Sequence, residues 1–100
     1  MFNIDKDKLI YYLKNLISIG SPSGYTHKVM NYIQDELSKL QIPYKTTNKG
    51  ALIVSFEGQN KDYERTFSAH VDTLGAIVKN INSKGTLSFL PIGGFMMTCI

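Results

Sequence analysis

The apolar residues of this chain change their spacing at Pro43. Before it, Leu9, Ile10, Leu13, Leu16 and Ile17 recur at steps of three and four, and Val29, Ile33, Leu37 and Leu40 do the same. That spacing predicts two amphipathic helices. After Pro43 the apolar residues alternate or run together over short stretches bounded by Gly, Asn and Ser, which predicts strands.

The first helix is predicted with Asp5 and Asp7 in its first turn, where carboxylates oppose the dipole. Gly20 is its expected stop, and Pro22 excludes continuation. The second is predicted over 25–40, with His27 facing solvent in its first turn. Between them, Gly20-Ser21-Pro22-Ser23-Gly24 is expected to form a tight helix-to-helix turn, with Ser23 as N-cap of the second helix. A nucleophile elbow would need serine in the middle of these residues, where Pro22 stands. A phosphate-cradling loop would need other glycine spacings, followed by lysine and a hydroxyl residue.

Tyr44–Thr47 is a short predicted strand and Asn48-Lys49-Gly50 a turn. Ala51–Phe56 is nearly all apolar, as expected of a strand buried on both faces, and Gly58–Asp62 is a polar loop. A third strand is predicted over Arg65–Val71, with Phe67, Ala69 and Val71 on one side and Thr66, Ser68 and His70 on the other. It is less apolar than a fully covered central strand. Ala76–Asn82 and Thr86–Leu90 then pair as a hairpin about Ser83-Lys84-Gly85. Pro91-Ile92-Gly93-Gly94 is expected to break the pattern before the apolar Phe95–Ile100.

The residues with the most chemistry lie in Ser68-Ala69-His70-Val71-Asp72-Thr73-Leu74-Gly75. Side chains two apart on a strand share a face, so extended backbone through Asp72 would set its carboxylate beside the His70 imidazole. Such a pair suits a metal-bound histidine: one ring nitrogen meets the cation while the other donates its proton to the carboxylate. The same two residues equally make a hydrogen-bonded His-Asp pair at a strand end. Gly75 permits a bend just beyond.

Composition narrows the classes. With 43% apolar and 19% charged residues the chain is globular rather than disordered, and 100 residues allow one small domain at most. The net charge of +3 comes from scattered lysines that form no stripe, so no nucleic-acid footprint is indicated. The single cysteine, Cys99, has no intrachain partner for a disulfide. Met1–Lys8 lacks the apolar segment of a signal peptide, and no stretch approaches a membrane span. A cytoplasmic protein without nucleic-acid or membrane partners is expected.

The ordered set Ser23-Gly24, Lys49-Gly50, Ala69-His70-Val71-Asp72, Gly75 and Ile92-Gly93-Gly94 resembles metallopeptidase family forty-two over Leu9 to Phe95. This family includes glutamyl and tetrahedral aminopeptidases. The resemblance implies an α/β fold: the N-terminal part of an α/β/α zinc-aminopeptidase catalytic domain, with two helices followed by strands of a mixed sheet. Residues 1–75 would belong to that domain. Residues 76–100 would open an inserted β-rich domain, truncated here. It also implies a peptide substrate, a cleft holding two divalent metal ions (zinc or cobalt), and a homo-oligomer when full length. By position, His70 would be a metal ligand and Asp72 the catalytic-site carboxylate that orients it.

Two departures stand out. Most members have Gly-Asn after an acidic residue where this chain has Asn48-Lys49-Gly50-Ala51-Leu52, and the residue after Asp72, often acidic in the family, is Thr73. Family chains are roughly three times as long, as two domains require. The bridging aspartate, the general-base glutamate and the remaining metal ligands are therefore expected downstream. With at most a partial metal site, which Asp62, Glu64 and Cys99 do not complete by any specific spacing, the 100-residue chain is expected to be inactive alone. The competing readings are a non-catalytic α/β binding or assembly module with a structural His-Asp pair and, more remotely, a nucleic-acid binder.

Overall fold

The computed structural model describes residues 3–60 and 62–96. Its elements are α1 (Lys6–Ser18), α2 (His27–Lys39), β1 (Tyr44–Thr46), β2 (Leu52–Val54), β3 (Gly75–Ile81) and β4 (Leu87–Ile92). They fall into two compact units, Met1–Val29 with Val71–Ile100, and Met30–His70.

In the first unit, α1 starts where a side chain can take up an unpaired helix donor. Asp5 is extended (φ −73°, ψ 99°) and its carboxylate accepts the Lys8 N–H at 3.0 Å. Asp5 is therefore the N-cap, and Asp7 is the acidic residue of the first turn. The helix ends at Ser18, two residues before Gly20, because Ile19 is already extended at φ −94°, ψ 113°. Tyr12, Leu16 and Ile19 are half-buried, whereas Leu9, Leu13 and Ile17 on a neighbouring stripe are exposed. Of the predicted apolar face only Leu16 is half-buried. The interior of this unit is small, with Val29 (1% exposed) and Ser21 (0%) at its centre.

The hairpin β3–β4 is antiparallel, from Gly75 opposite Ile92 to Ile81 opposite Leu87. The register slips between Val78 and Asn80, so Lys79 is an extra residue that bends the ribbon. Its turn is closed by Asn82 N–H to Thr86 O and Gly85 N–H to Asn82 O, both 2.9 Å. The Asn82 side-chain amide adds a bond to Thr86 Oγ1 at 3.0 Å. Gly85 takes φ +77°, a conformation glycine adopts without a Cβ clash. The hairpin runs on through Pro91 and Ile92, which the sequence reading placed in a break. In a two-stranded ribbon the proline lies on an edge strand, where its missing N–H is tolerated.

In the second unit, α2 ends in a Schellman arrangement. Ile42 N–H bonds Leu37 O at 2.9 Å, Gln41 N–H bonds Ser38 O at 3.0 Å, and Gln41 is left-handed at φ +56°. Pro43 follows, and β1 pairs antiparallel with β2, Tyr44 opposite Val54 and Thr46 opposite Leu52. Thr47 closes the intervening turn by accepting the Gly50 N–H at its carbonyl and the Ala51 N–H at its hydroxyl.

Three expectations fail here. β2 is short and not buried on both faces: Ile53 is 49% exposed, while Leu52 and Val54 on the other face are half-buried. Arg65–Val71 forms no strand among the described residues. Among the described residues there are two sheets of two strands each and the segment belongs to neither, which leaves Phe67 95% exposed. Accordingly no mixed sheet forms among the described residues. Both sheets are antiparallel, and the parallel pairing among the described residues is an isolated bridge between Pro22 and Thr73. An alternating pattern becomes a strand only when a neighbour satisfies its backbone groups. Of Phe95–Ile100, residues 97–100 and with them Cys99 lie outside the described residues.

Candidate functional site

The site is built on the Pro22–Thr73 bridge, where the turn after α1 runs beside the residues that follow His70. Ser21 brackets this segment. Its Oγ donates to Val71 O at 2.8 Å, and its carbonyl accepts the Thr73 N–H at 2.8 Å. A hydroxyl this deeply buried needs a partner, and here it ties down backbone 50 residues away. Pro22 suits the middle of the strap, because it brings no N–H that would need one. Its carbonyl accepts the Tyr25 N–H at 2.7 Å and closes the turn. Gly75 completes the fit, since any side chain there would strike the Pro22 ring.

Between the two bracketed backbone groups lies Asp72, half-buried. Its Oδ2 accepts a hydrogen bond from Ser23 Oγ at 2.5 Å, the short end of the range for a hydroxyl on a carboxylate. Ser23 therefore does not have the role expected of it. α2 begins only at His27, and the Ser23 hydroxyl goes to Asp72 instead of capping the helix. His27 is exposed, as expected, with its ring edge-on to Tyr25 at 4.4 Å between centroids. His70 is exposed, in no regular element, and is the last residue of the second unit.

Ser21 and Ser23 are the contributors that sequence reasoning missed. The signal was present in part: Ser23-Gly24 and His70-Val71-Asp72 belong to the same ordered set of motifs. Nothing in the sequence linked the serine to the carboxylate. Among the described residues no three His, Cys, Asp or Glu side chains are placed to hold a metal ion. None of the described helices is long and apolar enough to cross a membrane.

A helix-turn strapped onto a carboxylate-bearing segment, followed by a hairpin, defines an α/β fragment with one partial polar site. Residues 50–100 match the family described as M42 glutamyl aminopeptidase. The chain belongs to that family. It is 41% identical over 93 residues to the putative aminopeptidase YhfE of Bacillus subtilis, covering 93% of this chain and 27% of that protein. It is 29% identical over 85 residues to the lysyl aminopeptidase of Pyrococcus furiosus, covering 84% of this chain and 24% of that one. The chain thus spans about a quarter of the length of these relatives.

Proposed function

We propose that this chain is the N-terminal part of a metal-dependent aminopeptidase that hydrolyses N-terminal peptide bonds. The observation that carries the proposal is the family match over 50–100, which contains Ala69-His70-Val71-Asp72, together with a structure that ties down the backbone on either side of Asp72 and bonds its carboxylate from Ser23. Residues 1–75 would belong to the catalytic domain and residues 76–100 to an inserted β-rich domain. The apolar residues left exposed on α1, β2 and 65–71 suit surfaces that the rest of a catalytic domain covers. A cytoplasmic homo-oligomer is the assembly we infer for the whole protein.

The described residues alone do not fit a metal, because zinc takes three or four protein ligands and no three candidates converge. In the whole protein we assign His70 as one ligand and Asp72 as the carboxylate that receives the imidazole N–H. That proton fixes the tautomer and the ring plane. What these residues contribute is orientation: Asp72 is held from the turn at 21–23, and the imidazole takes its direction from Asp72. Activation of water requires a base that this pair does not supply.

The test is hydrolysis of aminoacyl-anilides by the purified whole protein, with N-acetylated anilides as controls. Hydrolysis of the free-amino substrates only is the expected result, with no turnover by residues 1–100 alone. Equal hydrolysis of both classes would contradict aminopeptidase action, and turnover by residues 1–100 alone would show that the missing groups are unnecessary. No hydrolysis by the whole protein would favour a non-catalytic α/β module.

A further inference from the structure

We propose that Ser23 is a positioning residue for Asp72, its hydroxyl setting the direction in which the carboxylate is presented. The functional half of this inference rests on the aminopeptidase reading; the geometric half does not. An aspartate on a fixed backbone keeps two freedoms, χ1 and a broad, roughly two-fold χ2. The backbone at Asp72 is fixed, since Val71 O and Thr73 N–H on either side both bond Ser21. The Ser23 bond to Oδ2 restricts both.

The donor is itself rigid. Ser23 follows Pro22, which is held by the bridge to Thr73, by the Tyr25 N–H on its carbonyl and by the Gly75 backbone against its ring. The bond joins residues 49 apart, so it is neither a helix cap nor a local turn. It is also charge-assisted, which makes it stronger than a neutral contact. A carboxylate that must meet an imidazole in one plane gains from such a second anchor, because a polar group supported on one side only wanders by more than the chemistry tolerates.

A plain staple would also explain a bond between two loops, and Ser21 separates the two roles. It ties the same segments together without touching the carboxylate. The test therefore compares Ser23→Ala, Ser23→Thr and Ser21→Ala in the whole protein, by crystallography of the Asp72 side chain and by steady-state kinetics on an aminoacyl-anilide. Ser23→Ala is expected to move or split the Asp72 rotamer. It should lower kcat about tenfold, the lower end of the loss when an outer hydrogen-bond partner is removed, with KM within about twofold. Ser23→Thr should restore both, while Ser21→Ala should lower the melting temperature without turning the Asp72 carboxylate about χ2.

An unmoved Asp72 with unchanged kcat in Ser23→Ala overturns the proposal, as does a Ser21→Ala protein whose Asp72 carboxylate is turned in the same way. If the whole protein hydrolyses no anilide, the aminopeptidase reading fails and the crystallographic comparison alone decides the positioning role.

Discussion

Gly75 lies so close to Pro22 that a Cβ built on it would sit 2.6 Å from the proline Cβ. No side-chain rotation relieves that overlap, because both atoms are fixed by their backbones. Gly75→Ala must therefore push the turn at 21–23 away from Val71–Thr73 and strain the two Ser21 bonds. A loss of about 1–3 kcal/mol, typical of overpacking, is expected in urea or thermal unfolding of the whole protein. Gly20 has nothing within 4 Å of its Cβ position, so Gly20→Ala should be neutral or stabilising by up to about 1 kcal/mol. Equal effects at the two glycines would show that the Pro22 contact is not tight.

Asp5 caps α1 through the Lys8 N–H. Asp5→Ala should cost about 1 kcal/mol and Asp5→Asn much less, since the amide oxygen caps nearly as well. The measurement is the unfolding midpoint of each variant, supported by faster amide exchange at Lys8 in Asp5→Ala. Unchanged exchange there would mean that the carboxylate is dispensable as a cap.

Gln41 ends α2 at φ +56°, where an L side chain costs roughly 1–2 kcal/mol. Gln41→Gly removes that strain but adds unfolded-state entropy of roughly 0.5–1 kcal/mol. A net gain of about 0.5–1 kcal/mol is expected. A destabilised variant would mean that the glutamine side chain makes a compensating contact.

Local patterns were legible in the sequence, and long-range partners were not. Both helices, the turn at 48–50 and the hairpin about Ser83-Lys84-Gly85 follow from residue spacing and turn chemistry within a dozen neighbours. The left-handed end of α2 was hidden because glutamine, not glycine, occupies it. Arg65–Val71 alternates like a strand, yet alternation names no partner strand, and among the described residues the segment joins neither sheet. At the candidate site, His70 and Asp72 were singled out by type and spacing alone, whereas the Ser23–Asp72 hydrogen bond is a contact across 49 residues that no local rule encodes.

The exposed apolar residues of Arg65–Val71 and α1 carry a further expectation. Phe67 is 95% exposed and Leu13 and Ile17 are exposed on α1. Residues 1–100 made alone should therefore bind an apolar dye such as ANS and melt without a sharp transition, as chains with incomplete packing do. A cooperative melt with no dye binding would show that these surfaces need no cover.

His70 is proposed to hold a divalent metal in the whole protein, with Asp72 orienting it. The direct measurement is the divalent metal bound per chain, by elemental mass spectrometry, in the purified whole protein and its His70→Ala variant, with anilide hydrolysis followed in parallel. The account predicts loss of about one ion per chain in the variant, together with a fall in kcat of at least about 100-fold, as loss of a direct ligand should exceed the 10–100-fold cost of an outer partner. A His70→Ala protein that keeps both its metal and its activity would contradict it.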